Sequence, residues 1–183
     1  MIKIAYTGTH GTGKTDSAFK QALELKRANP DKHVEILAEV ARQAPKINKD
    51  SNITTQLWIL TKQINAEIEA SMRSDILVCD RTAMDCVAYT SYFIDREWKD
   101  KLSCRKDECD ATASVMYDMA CTWLHTYDTI YFKLAKNNEY CFSDTHRDIT
   151  PEYRQGVEDI LLKFYKAYQQ FQQQHTTPAL VYI

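Results

Sequence analysis

The sequence predicts an α/β protein: a doubly wound parallel sheet of about five strands with helices on both faces. Three observations point there. Short apolar runs alternate with longer amphipathic stretches along the chain, the pattern of parallel strands joined by helical crossovers. The first apolar run opens directly into a glycine-rich turn, Gly8-Thr9-His10-Gly11-Thr12-Gly13. Polar and charged residues recur where the other runs end, and right-handed crossovers bring those carboxyl ends to one side of the sheet.

Each element follows from its own stretch of sequence. Ile2 to Tyr6 is the first strand candidate. Thr15 to Ala28 has helical spacing, with Phe19, Ala22, Leu23 and Lys26 recurring on one side, and Asn29-Pro30-Asp31 breaks it. His33 to Ala38 is a second strand. Thr54 to Arg73 is a long helix whose expected apolar face is Leu57, Leu60, Ile64, Ile68 and Met72. Asp75 to Cys79 is a third, almost wholly apolar strand, and Thr82 to Phe93 a helix after it. The charged stretch from Asp95 to Asp110 reads as an exposed loop or frayed helix. Ala111 to His125 is a helix with Val115, Met119 and Trp123 on one face, and Thr129 to Leu134 a fourth strand. Thr150-Pro151 supplies an N-cap and a first-turn proline for a helix to about Gln174. Ala179 to Ile183 is the last strand.

The 183 residues are 44% apolar and 26% charged, which suits one domain, 1–183, with its own core. A formal net charge of −2 gives no broad footprint for duplex nucleic acid. No apolar run has the length of a membrane span, and Met1-Ile2-Lys3-Ile4 leads into the first motif without a signal peptide. Cys79, Cys86, Cys104, Cys109, Cys121 and Cys141 form no C-x-x-C pair. They read as free thiols of a reducing compartment, and the expected location is cytoplasmic.

The chemistry concentrates at the strand ends. Gly8 to Thr15 fits G-x-x-x-x-G-K-T, the Walker A motif or P-loop, placed between a strand and a helix as its mechanism requires. Gly8, Gly11 and Gly13 let successive backbone N–H groups turn toward phosphates, and the following helix offers its positive end to the same anion. His10 and Thr12 complete the cradle without a catalytic role. Lys14 is placed to reach the β- and γ-phosphates of ATP, and the Thr15 hydroxyl to join a Mg²⁺ shell. Asp80 ends the third strand, where a carboxylate completes that metal site, and Arg81 points to a phosphate or substrate oxygen. Glu39, just after the second strand, is positioned as a proton acceptor for an attacking hydroxyl, with Arg42 restraining it or touching substrate. Arg147, in the polar stretch Asp144-Thr145-His146-Arg147, and Arg154 on the next helix are cations for the transferring phosphoryl group. Gln56, Gln63 and Glu67 share one helical stripe, from which amides can read a base or sugar. Tyr89 is a candidate aromatic wall, with Tyr92 beside it.

With these residues in place, the chain resembles the P-loop nucleoside and nucleotide kinases. Glu39-Val40-Ala41-Arg42 is similar to the glutamate-led motif of deoxynucleoside kinases, which implies Glu39 as base for a sugar hydroxyl. Asp80-Arg81-Thr82 resembles their Glu-Arg-Ser motif, with Asp80 in place of the glutamate, and no proline follows Glu39. The run from Asp80 to Tyr89 is similar to thymidylate kinase, which implies that Arg81 holds an acceptor phosphate. Glu39, Arg42, Gln63 and the Arg147 region resemble the kinase domain that phosphorylates nicotinamide riboside. The resemblance implies a P-loop kinase using ATP and Mg²⁺ on a nucleoside hydroxyl or a nucleoside monophosphate. A homodimer is left open. Two other readings compete: a kinase for a hydroxyl within nucleic acid, disfavoured by the net acidity, and a P-loop ATPase or switch acting on a protein partner.

Overall fold

The computed structural model describes residues 1–45, 52–96, 106–135, 150–171 and 178–183. Five strands, β1 (Ile2–Thr7), β2 (Val34–Leu37), β3 (Ile76–Asp80), β4 (Thr129–Phe132) and β5 (Ala179–Tyr182), form one sheet in the order β2-β3-β1-β4-β5. Every neighbouring pair is parallel. The crossovers contain α1 (Lys14–Ala28), a 3₁₀ turn at Val40–Gln43, α2 (Ile53–Ser71), α3 (Ala83–Arg96), α4 (Lys106–Leu124) and α5 (Pro151–Phe171). The expected doubly wound sheet of five strands is the one observed. No helix among the described residues is long and apolar enough to cross a membrane.

The central position of β1 determines where polar groups from separate elements can meet. In register, Tyr6 lies opposite Asp80 on one side and Tyr131 on the other. The ladders continue past the strand ends: Arg81 N–H donates to Tyr6 O at 3.0 Å and Lys133 N–H to Thr7 O at 2.9 Å. Three strand ends therefore open side by side around the turn after β1, at the point where the chain switches from one side of β1 to the other.

α1 covers one face of the sheet, burying Ala18 against Tyr6 and Val78 with Ala22, Leu25, Ile36 and Tyr131 around them. On the opposite face α2 to α5 enclose the larger core, which includes Leu60, Leu77, Met84, Met116, Leu124, Phe132, Leu161 and Tyr165. α3 and α5 approach closely: a Cβ at Gly156 would stand 2.4 Å from the Tyr92 ring, so any larger residue there must displace that ring or the helix carrying it.

Which side of each helix turns inward differs from the sequence expectation. Phe19 and Leu23 on α1 are half-exposed, and Ala18 is the buried apolar residue. On α4, Val115 is 57% exposed, while Cys109, Met116, Ala120 and Leu124 face the core. On α2, Met72 is 82% exposed and Ile68 is exposed, whereas Gln56, Gln63 and Glu67 are buried beside Ile59 and Leu60. The cause on α2 is electrostatic. Glu67 meets the ammonium of Lys3 inside the fold, so the stripe that looks solvated in sequence is the one with charged partners to satisfy. α4 also begins at Lys106, inside the stretch expected to be a loop. Cys109 is disulfide-bonded, contrary to the free-thiol expectation, while Cys79, Cys86 and Cys121 are free.

Candidate active site

The loop after β1 takes its shape from three glycines with positive φ: 133° at Gly8, 70° at Gly11 and 72° at Gly13. Gly8 is required twice over. Its φ disfavours any side chain, and a Cβ there would lie 2.3 Å from the Lys133 carbonyl oxygen. Lys133, at the end of β4, also donates from its ammonium to Gly13 O at 3.2 Å and Ser17 Oγ at 2.7 Å. The fourth strand thus braces the turn into α1, a role that the sequence does not suggest.

Lys14 is 5% exposed. Its ammonium curls back onto the loop, donating to Thr9 O and, at 3.4 Å, to Thr12 Oγ1. Among the described residues no carboxylate lies within ion-pair distance of it. Burial, and then repulsion from Arg81, lower its pKa to about 7, against the pull of Asp85, Glu39 and Asp80. Thr15 Oγ1 donates to Asp80 Oδ2 at 2.6 Å, and Asp80 is buried. These two oxygens come from different elements and meet beside the loop. Such a pair fits Mg²⁺, which keeps several waters and takes one or two protein oxygens together with phosphate.

The second half of the site centres on Arg81. Its φ of 104° is the one positive value at a non-glycine among the described residues, a conformation that persists only where the surroundings impose it. Here they do. Arg81 Nε donates to Glu39 Oε1 at 2.7 Å and its Nη1 to Asp85 Oδ1 at 3.1 Å, while the guanidinium lies 5.3 Å from the centre of the Tyr89 ring. Burial opposes its charge, but Glu39, then Tyr89, Asp85 and Asp80, hold its pKa well above the ordinary arginine value. Burial likewise raises the Tyr89 phenol, with Arg81 opposing. Glu39 accepts on its other oxygen from Arg42 Nε at 2.9 Å, and Arg42 is largely exposed. Gln63 Nε2 approaches the Arg81 carbonyl oxygen at 3.4 Å.

Asp85 is a site residue that sequence reasoning missed. Its Oδ2 accepts from Thr7 Oγ1, Thr82 N and Thr82 Oγ1, each at 2.9 Å, so it ties the end of β1 to the start of α3 while Oδ1 holds Arg81. The i, i+4 spacing from Arg81 is the one sequence signal that marks it. Around the loop, His10 packs its ring 5.1 Å from that of Tyr153 and 6.5 Å from that of Tyr89. Arg154 Nε donates to His10 O at 3.3 Å, so α5 touches the P-loop directly. Gln56 is buried on the same α2 stripe as Gln63. Arg147, with Asp144, Thr145 and His146, lies outside the described residues.

The arrangement brings together a glycine-shaped loop with a buried lysine, a hydroxyl–carboxylate pair, and beside them a guanidinium held between two acids. The family model for the AAA domain matches residues 3–174. No curated protein matches the sequence. Among solved structures, deoxyadenosine kinase from M. mycoides is 17% identical with a TM-score of 0.66, covering 100% of this chain and 90% of its own. Thymidylate kinase from Ehrlichia chaffeensis is 15% identical with a TM-score of 0.64, covering 100% and 91%. Thymidylate kinase from Candida albicans is 14% identical with a TM-score of 0.58, covering 99% and 83%. At such identities the likeness is one of fold, whereas the family model spans nearly the whole sequence. The chain belongs to the AAA domain family and has the fold of the P-loop nucleoside and nucleotide kinases.

Proposed function

We propose that the protein is an ATP- and Mg²⁺-dependent kinase that phosphorylates a hydroxyl of a nucleoside. The observation that carries this reading is the commitment of Arg81. Its guanidinium is already engaged by Glu39 and Asp85 under the Tyr89 ring. A guanidinium neutralised by two carboxylates offers little to an acceptor phosphate, and the acids repel a dianion. An uncharged hydroxyl meets no such penalty.

In this reading the P-loop N–H groups and Lys14 hold the β- and γ-phosphates of ATP, and Thr15 and Asp80 hold Mg²⁺. The bound metal supplies charge compensation between the phosphates. Glu39 orients the acceptor hydroxyl. Both of its oxygens already accept from arginines, yet a carboxylate has further lone pairs for that proton. The acceptor oxygen forms a bond to the γ-phosphorus, the bond from that phosphorus to the β–γ bridging oxygen breaks to leave ADP, and the hydroxyl proton passes to Glu39. Arg81 keeps Glu39 in place, and Asp85 keeps Arg81 in place.

A panel of nucleosides and nucleoside monophosphates, incubated with γ-labelled ATP and Mg²⁺, tests the reading. Labelled nucleoside monophosphate is expected, with little diphosphate formed from the monophosphates. Label in diphosphates alone would make Arg81 a phosphate-binding residue after all. Release of inorganic phosphate that no acceptor diverts would favour an ATPase or switch.

A further inference from the structure

Asp85, which holds Arg81, belongs to a buried polar group with Thr7, Thr82 and Tyr165, each no more than 1% exposed. The hydrogen bonds of this group can be followed proton by proton. A carboxylate only accepts, so the hydroxyls of Thr7 and Thr82, each 2.9 Å from Asp85 Oδ2, direct their single protons to it. Thr82 Oγ1 then has only lone pairs left for the phenol oxygen of Tyr165, 2.9 Å away. Tyr165 is therefore the donor. Burial, and then the charge of Asp85, raise the pKa of that phenol far above the ordinary tyrosine value, so it keeps its proton. The donors run one way, from α5 through Thr82 to Oδ2 of Asp85, whose Oδ1 accepts from Arg81. The Tyr165 ring has its own support, edge-on to Phe132 with 5.8 Å between centres. A phenylalanine would fill the same space, and only the hydroxyl reaches the start of α3.

We propose that Tyr165 is a positioning residue for the acceptor half of the site: its hydroxyl fixes the Thr82 hydroxyl on Asp85, and Asp85 then holds Arg81 and, through it, Glu39. The inference rests on the nucleoside-kinase reading above and adds α5 to it. Without the phenol's proton the Thr82 hydroxyl is free to turn, and its bond to the buried carboxylate loses the donor that polarises it. Arg81, whose backbone stands at a φ of 104° only because its surroundings impose it, is then held less firmly beside Glu39. The phosphate half is insulated from this change. Lys14, Thr15 and Asp80 share no hydrogen bond with the group among the described residues.

The test is steady-state phosphoryl transfer from ATP to the best nucleoside acceptor, with the full chain. Tyr165→Phe is expected to lower kcat roughly three- to tenfold, the worth of one hydrogen bond, with KM for ATP unchanged. Tyr168→Phe, on the same helix, removes a hydroxyl that meets His125 Nδ1 at 3.2 Å and should leave kcat as it is. Adding Tyr165→Phe to Asp85→Asn should cost less than about twofold, because Tyr165 acts through the charge of Asp85. Thr82→Val keeps the shape and removes the relay oxygen, and it supplies the second background should Asp85→Asn fold poorly. An unchanged kcat in Tyr165→Phe overturns the inference and leaves the kinase reading standing. So does a loss matched by Tyr168→Phe, or one as large in the altered backgrounds as in wild type. A wild-type protein that phosphorylates no nucleoside overturns the kinase reading itself, and the inference falls with it.

Discussion

β1 and the loop after it carry a buried lysine at each end, and the two are treated in opposite ways. Lys3 is 1% exposed. It has the Glu67 carboxylate beside it, donates to Thr126 Oγ1 at 2.7 Å, and lies 4.6 and 4.4 Å from the ring centres of Trp123 and Tyr127. Lys14 is about as deeply buried, yet among the described residues its ammonium has only a carbonyl and a hydroxyl of its own loop. A buried cation that serves the fold is given its counter-charge by the fold. One that lacks it is stabilised when an anion arrives, and in the proposed function that anion is the phosphate held at the loop. The contrast separates scaffold from site within one stretch of chain.

Breaking the Lys3 end should produce the largest change. Lys3→Met leaves Glu67 charged and uncompensated in the core, and is expected to cost about 3–5 kcal/mol of stability, read from the denaturant midpoint. Adding Glu67→Gln should recover part of that loss, because the stranded charge is then gone. A loss within the range of a surface substitution would show that the ion pair is not what tolerates Lys3.

Breaking the Lys14 end should do the reverse. Lys14→Met keeps the aliphatic stem, so phosphoryl transfer is expected to fall by roughly 10²–10³ with no loss of stability at neutral pH. Rate and melting temperature measured on the same preparation check both halves. A variant that is less stable and equally active would make Lys14 a structural residue.

A smaller effect sharpens the same contrast through pH. The folded-state pKa of Lys14 is lowered to about 7 from an ordinary value of 10.5. Between those two values the unfolded chain holds a proton that the native state has released. Stability from this group therefore rises with pH across the window, and the penalty is full below pH 7. Lys14→Met should be more stable than wild type below pH 7, with the gap closing as pH rises. Phosphate restores the charge, so ATP binding at pH 8 should take up a proton. Calorimetry in buffers of different ionisation enthalpy measures that uptake, which the methionine variant should lack.

How far these features are legible in the sequence depends on whether they are local. The glycine-rich loop is contiguous, and Asp80 meets Thr15 because Asp80 ends β3 beside β1 and Thr15 opens the helix that follows the loop after β1. Both are readable from motif and alternation. The acceptor side is less so. Glu39, Gln63 and the Arg81–Asp85 pair come from three separate parts of the chain. That Arg81 is taken by two acids, rather than open to a phosphate, depends on the strained backbone at Arg81 and on α3 packing. Spacing does not encode either. The polar stripe on α2 is visible in sequence, but periodicity alone does not show it turned inward, because its reason is Lys3, far away along the chain. Lys133 gives no signal, since its role is to touch the backbone of another loop.

The most direct test of the central claim is the single-turnover rate of γ-phosphoryl transfer from ATP to the best nucleoside acceptor, wild type against Glu39→Gln. The substitution keeps the shape beside Arg81 and removes the proton acceptor. A hydroxyl that must lose its proton during transfer should react on the order of a hundredfold more slowly, with ATP affinity unchanged. Equal rates for the two proteins would contradict the assignment of Glu39 as the group that receives the proton, and with it the hydroxyl acceptor.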